Sequence, residues 1–372
     1  MTSGSSKRRT GRILLKSTFI VGSLALLLLL LRLLLFQGPV RPPEPLPEAP
    51  ILDMHCHTAG IGARGSGCFV TERLQSSWKF DTYLDAFGLS QEDLEREGDG
   101  IVVERIAKLV RESEAVSSAV VLAMDGVVGR DGKIDLEHTE ILVPDRFVQE
   151  QTALYPELHF GASIHPYRKD ALGRLEWAAA HGAVLVKWIP SIMWIDPADP
   201  VILPFYRRMV ELGLPLLSHT GNERSFSTAK DELCDPARLK PALEAGVTVI
   251  ASHMATTGEN EGEGNVERLL KMMASYPNLY TDVSSLTQIN KLGSLDRALR
   301  EECLEGRLLY GTDFPLVETA LVSPWYFPLH LTIREMHELS GVENPFERDV
   351  LLKQALGVPA DAFARSAKLI LE

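Results

Sequence analysis

Eight short apolar runs, spaced by stretches of helical period, leave this chain few ways to fold. The runs lie at 51–55, 118–124, 159–164, 183–188, 214–219, 247–253, 279–283 and 308–312. Most lack polar/apolar alternation, as expected of parallel strands buried on both faces. Helical patterns fall at 100–115, 171–181, 201–212, 236–245, 266–276 and 295–304, and Pro241 predicts a kink or early end to the fourth. Lys187 to His219 is 32 residues, His219 to His253 34, His253 to Asp282 29 and Asp282 to Asp313 31. Each step is one strand-helix unit of about 30 residues. Eight such units favour a closed α/β architecture, the (β/α)8 TIM barrel, over a doubly wound sheet. The barrel domain is expected over 51–372. An insertion at about 60–99, opened by glycine-rich 60–67, explains the long first step and would lie over the mouth. The tail from 324 adds helices.

Ahead of the barrel the chain changes character. Residues 17–36 carry one charge, Arg32, and a leucine block fills 26–31. Twenty residues rise about 30 Å, one bilayer core, and Arg32 can snorkel from near its end. Lys7, Arg8, Arg9, Arg12 and Lys16 make 1–16 a basic head. The positive-inside bias then predicts a single-pass transmembrane anchor with a cytoplasmic N-terminus and a periplasmic or otherwise extracytoplasmic catalytic domain. A cleavable signal peptide is the rival, but the run is long for one and no small-x-small site follows Phe36. Residues 37–50 hold six prolines and are expected to form a semi-rigid linker that holds the domain off the membrane.

The net charge of −12 splits at the same boundary. Residues 1–50 hold seven Lys/Arg against two Glu, and residues 51–372 hold 31 basic against 48 acidic side chains. So acidic a domain repels polyphosphate, which argues against a nucleic-acid partner; the expected partner is the small-molecule substrate of the site at the strand ends. Four cysteines without a CxxC pair exclude a disulfide scaffold and a zinc ribbon.

Chemistry concentrates where the strands end. The first run closes on His55-Cys56-His57, whose alternation aims both imidazoles one way and Cys56 the other. The fifth and sixth end at His219 and His253, the eighth runs into Asp313, and the fourth carries Lys187. Barrel strands converge at their carboxyl ends. Imidazoles and a carboxylate there make a set for zinc or a related divalent ion. A single histidine at a strand end is ordinarily a packing residue, and His138, His159, His181, His330 and His337 keep that reading. His165 is expected beside the site. Arg224 is either a carboxylate grip or half of a surface ion pair, and 258–264 is flexible enough for a lid.

The ordered segments Asp53-Met54-His55-Cys56-His57, Ala162-Ser163-Ile164-His165-Pro166, Val186-Lys187-Trp188-Ile189-Pro190, Leu217-Ser218-His219-Thr220-Gly221, Ala251-Ser252-His253-Met254 and Gly311-Thr312-Asp313-Phe314-Pro315 resemble the amidohydrolase superfamily. Within it they resemble the amidohydrolase-related branch that includes aminocarboxymuconate semialdehyde decarboxylase. The resemblance implies metal ligation by His55, His57, His219 and Asp313, with His253 and Asp313 moving protons. Lys187 implies three alternatives: a carbamate bridging two ions with His219 and His253, a contact to a substrate carboxylate, or a lysine snorkelling out of the barrel. The implied activity is hydrolysis, with metal-activated water attacking an amide, ester or lactone carbonyl. A metal-dependent non-oxidative decarboxylase (carboxy-lyase) is the alternative, and a membrane-tethered binding protein the third.

Overall fold

The structure, a computed structural model, describes residues 22–23 and 26–372. The basic head 1–16 and, within the expected anchor, 17–21 and 24–25 lie outside the described residues. Residues 26–35 are helical. Among the described residues, no helix is long and apolar enough to cross a membrane.

Eight parallel strands form one curled sheet: β1 (Ile51–His57), β2 (Val116–Leu122), β3 (Leu158–Ala162), β4 (Ala183–Trp188), β5 (Leu216–Ser218), β6 (Val249–Ala251), β7 (Leu279–Asp282) and β8 (Leu308–Leu309), paired in that order. Beyond β8 the sheet meets its own first strand. Cys56 bridges Phe314, His57 N donates to Phe314 O (2.8 Å), and Asp313 N donates to His55 O (2.9 Å). The fold is therefore the expected α/β barrel. Several strands are shorter than expected because their last residues leave the ladder to build the mouth.

The main helices are α1 (Trp78–Phe87), α2 (Gly100–Glu112), α3 (Asp145–Thr152), α4 (Ala171–Ala180), α5 (Leu203–Glu211), α6 (Asn265–Met273), α7 (Ser294–Arg300), α8 (Ile333–Ser340), α9 (Pro345–Ala355) and α10 (Ala360–Leu371). Pro241 sits in the first turn of a short helix, Lys240–Glu244, where its missing N–H costs no hydrogen bond. The outer core fills the layer between sheet and helices. A separate inner cluster of Leu52, Met54, Val120, Leu122, Leu185, Leu217, Ile250 and Leu309 fills the lumen, and Ile370 of α10 closes its base.

A bulge in β1 decides where its histidines point. Asp53 pairs with Ala119, but the next matched pair is Cys56 with Val121, three residues against two. Leu52 and Met54 face the lumen. Unbroken alternation from them would turn His55 and His57 outward, and the extra residue reverses that parity. Cys56 accordingly packs in the outer core.

Residues 60–99 are structured. Their glycine-rich turn is gathered by the Asp99 carboxylate, which accepts from Ile61 N (3.0 Å), Gly62 N (2.9 Å) and Ser66 Oγ (2.5 Å). Two expectations are corrected. Residues 259–264 form a small antiparallel hairpin, with Asn260 and Glu261 tied to Arg268, in place of a free lid. The proline-rich linker does not stand off the barrel. Gln37 N and Gly38 N donate to Leu329 O (2.9 and 3.1 Å), and Arg41 Nε donates to Leu299 O (2.9 Å). Glu44 receives Gln354 Nε2 (2.7 Å) and Ala360 N (2.9 Å). An extended chain rich in proline lends its few polar groups to the barrel wall, and Val40 and Leu46 pack on the core.

Candidate metal centre

Parity along the strands places three of the expected residues. Leu185, Leu217 and Leu309 face the lumen, so Lys187, His219 and Asp313, an even number of residues further on, rise above it. His253 arrives differently. It leaves β6 with φ 60°, followed by Met254 (52°) and Ala255 (50°), and Asp313 has φ 64°. Left-handed backbone at β6 and β8 ends in non-glycine residues stores strain of the kind that collects at functional sites.

At the mouth, His55 Nε2 and His57 Nε2 lie 3.5 and 3.3 Å from Asp313 Oδ1. The other oxygen of Asp313 accepts from Ser285 Oγ (2.5 Å), which is itself held by Gln288 Nε2 (2.8 Å). His253 stacks on His55, ring centroids 5.1 Å apart, and His219 stands edge-on to His253 at the same separation. Lys187 Nζ lies 2.9 Å from His55 Nε2 and 3.4 Å from Ser252 Oγ. The snorkelling alternative for Lys187 is overturned: the side chain points inward and is 1% exposed.

Behind these groups stands Asp282 at the end of β7. Its Oδ2 is 2.8 Å from His55 Nδ1, and its Oδ1 accepts from His253 N (2.7 Å) and Ser284 Oγ (2.6 Å). A carboxylate on Nδ1 fixes that nitrogen as the donor, leaving the Nε2 lone pair facing Asp313 and Lys187. Asp53 ties β1 to β8, accepting from His55 N and Thr312 N (each 3.0 Å) and from Thr312 Oγ1 (2.5 Å).

Burial dominates the electrostatics. It lowers His55 to about 4, helped by Lys187 and opposed by Asp282. It lowers Lys187 to about 8 against the pull of Asp313 and Asp282. Burial and then Lys291 hold His253 well below the usual imidazole range. Burial would raise Asp313, yet His253, His57 and His55 overcome it and hold the carboxyl well below its ordinary value. Burial thus favours the neutral imidazole at His55 and His253 beside an ionised Asp313.

That donor set fits a divalent cation. Among the described residues two groups bring one ligand atom from each member within 4.8 Å of one another: His55, His57 and Asp313, and His55, His253 and Asp282. His219 Nε2 and His57 Nδ1 are buried without a hydrogen-bond partner, and an orphaned buried imidazole nitrogen calls for one.

Other expected residues stand elsewhere. His165 is buried beside the site, with Nε2 2.8 Å from Met193 O and Nδ1 accepting from Tyr167 N. Arg224 is exposed. Bidentate arginines are instead Arg168, locked on Asp125 (2.6 and 2.7 Å), and Arg268, locked on Asp235 (2.7 and 2.8 Å). Sequence reasoning missed Asp282, although its place in the strand spacing marked it. It also missed Lys291, whose charge acts on both His219 and His253, and Tyr83, whose phenol is pushed up by burial and by the Glu223 and Asp313 carboxylates. Tyr83 lies between Lys79 and Phe87 on one face of α1. Lys79 bonds the carbonyls of Arg224 and Ser225, and Phe87 packs on Phe314 beside Asp313 (5.2 Å). No local signal ties that helix to the site.

Comparison with known proteins gives the family. The amidohydrolase family profile matches residues 110–330, more than half of the 372. The chain belongs to the amidohydrolase superfamily, in its amidohydrolase-related branch, and is an enzyme of that superfamily. No curated protein matches the sequence. Among solved structures it is similar to an uncharacterised TIM-barrel protein from Bordetella bronchiseptica (18% identity over 82% of this chain and 99% of that one, TM-score 0.48). It is also similar to a candidate 2-pyrone-4,6-dicarboxylic acid hydrolase from Pseudomonas putida (15%, 87% and 98%, TM-score 0.49). A third is 5-carboxyvanillate decarboxylase from Sphingomonas paucimobilis (10%, 87% and 99%, TM-score 0.46).

Proposed function

We propose that this chain is a metal-dependent hydrolase acting on an amide, ester or lactone carbonyl of a small molecule, tethered to a membrane by its N-terminal segment with the barrel on the extracytoplasmic side. The observation that carries the catalytic reading is the approach of His55 Nε2 and His57 Nε2 to one oxygen of Asp313. One ion, zinc by its nitrogen-rich donors, would be held by His55, His57 and Asp313, with His219 as the fourth ligand. When bound there, such an ion activates water and polarises a carbonyl.

The chain's own groups do the rest. Asp313, steadied by the Ser285 hydroxyl on its Oδ2, takes a proton from water and returns it to the leaving group. Asp282 and Ser284 orient His55 and His253 from behind. His253, held neutral, positions the water as a hydrogen-bond partner. Lys187, with its pKa brought near 8, can donate to a substrate oxygen. The tether is supported by the apolar run of 17–36, with Arg32 as its one charge, and the basic residues before it.

The test is a paired assay on metal-replete protein: turnover of simple ester, lactone and amide probes beside carbon dioxide release from aromatic carboxylates. Hydrolysis that chelation abolishes is expected. Carbon dioxide release without hydrolysis overturns the reading in favour of decarboxylation.

A further inference from the structure

The strap between the N-terminal helix and β1 fixes which end of the barrel meets that helix. Leu329 and Leu331 belong to the long excursion after β8, on the mouth side. Its residue Val322 bridges Gln288 in the loop after β7, and His330 Nε2 lies 2.8 Å from Asp296 in the first turn of α7. Helices of this fold start at the mouth and run back to the base. Gln37 and Gly38 bond Leu329 O, and Arg32 Nη2 bonds Leu331 O (2.8 Å). Arg41 then bonds Leu299 at the far end of α7. Glu44 meets Gln354, at the end of α9, and Ala360, where α10 turns under the lumen. The strap thus descends the wall from mouth to base, where β1 begins, and leaves the helix at the mouth.

The surface there is apolar. Leucines 26–31 and 33–35 with Phe36 are 40–82% exposed on all sides of the helix. Apolar character all round calls for an apolar medium and not for one packed face. Beside it, the mouth rim presents Ile289 and Leu292 after β7, Trp325 after β8 and Ile333 at the start of α8, each 45–50% exposed. A tryptophan among aliphatic side chains suits the lipid–water boundary.

We infer that the barrel sits mouth-down on the lipid bilayer, with Ile289, Leu292, Trp325 and Ile333 as its contact rim and residues 37–50 as the strap that sets the orientation. The inference rests on the membrane tether proposed above. A bilayer accommodates both the all-round leucine helix and a rim of separate side chains from two loops and a helix start. The active site therefore draws its substrate from the membrane boundary.

Full-length protein reconstituted into phosphatidylcholine vesicles tests this. In a Cys303→Ser background, a fluorophore is placed at Leu292→Cys on the rim or at Leu154→Cys, past the end of α3 at the base. Emission is then read with lipids spin-labelled at the headgroup. The expected result is loss of emission at 292 and none at 154. Equal emission at both positions in protein that floats with the vesicles overturns the orientation while leaving the tether intact. Protein that does not float overturns the tether, and the orientation with it. Cross-linking of position 292 between copies, without quenching, assigns the rim to a second copy of this chain and also overturns the proposal. In Arg41→Ala/Glu44→Ala, flotation persists and quenching at 292 weakens; undiminished quenching removes the strap from the argument and overturns its role.

Discussion

Lys187 Nζ and His55 Nε2 lie 2.9 Å apart at the centre of the barrel mouth, both buried, while the other nitrogen of His55 is engaged by Asp282. An ammonium sharing a metal ligand's lone pair is costly unless it can shed its proton, and burial brings Lys187 down to about 8. Neither compact donor group combines His219 with His253, the pair a second ion would need. Lys187→Met is therefore expected to keep one equivalent of metal, independent of bicarbonate, by elemental analysis. Two equivalents in the parent protein that fall with carbon dioxide depletion would establish a carboxylated Lys187 instead.

Asp282 sets the tautomer of His55 and the backbone of His253. Asp282→Asn removes the charge and keeps the shape. Metal affinity should fall about 10- to 100-fold, the usual consequence of losing a carboxylate behind a ligating histidine. Competition against a chromophoric chelator measures it, and unchanged affinity would remove Asp282 from the site.

His165 predicts an acid limb in stability. Burial lowers it from 6.5 to about 4, so between those values the unfolded chain binds a proton that the folded chain does not. Its contribution is complete above pH 6.5 and is lost as pH falls toward 4, by at most about 3 kcal/mol. In His165→Gln the urea midpoint should depend less on pH across that window. A parallel profile would mean that another group carries the limb.

The pair Lys353 and Asp349, 2.7 Å apart, is buried behind β8, where Lys353 Nζ also donates to Gly311 O (2.9 Å). Breaking it strands a charge. Lys353→Met should cost about 3–5 kcal/mol by denaturant titration, and Lys353→Met/Asp349→Leu should recover most of that. A double variant no more stable than the single one would place the loss in the Gly311 hydrogen bond.

Much of this molecule follows from one-dimensional pattern. Uniform apolar runs at a fixed step could be buried on both faces only in a parallel sheet, and 183–188 is the same strand by either route. Parity from Leu185, Leu217 and Leu309 carries Lys187, His219 and Asp313 to the mouth without further help. The strap was not legible: proline density gives an extended chain, but not the carbonyls of Leu299 and Leu329 that it lies against.

What the sequence determined alone was the list of chemical groups and their order around the ring, because strand period and loop length are local properties. Tertiary structure decided which way the histidines of β1 and β6 face and what stands behind the whole set. Unbroken alternation from Leu52 and Met54 would turn His55 and His57 out of the barrel. Pairing with β2 introduces the bulge that turns them in, and left-handed backbone does the same for His253. Asp282 joins the centre because closure of the ring, secured by Asp53 against Thr312, brings the end of β7 within reach of His55 across 227 residues of chain. Such contacts depend on the whole barrel's register, which no window of sequence contains.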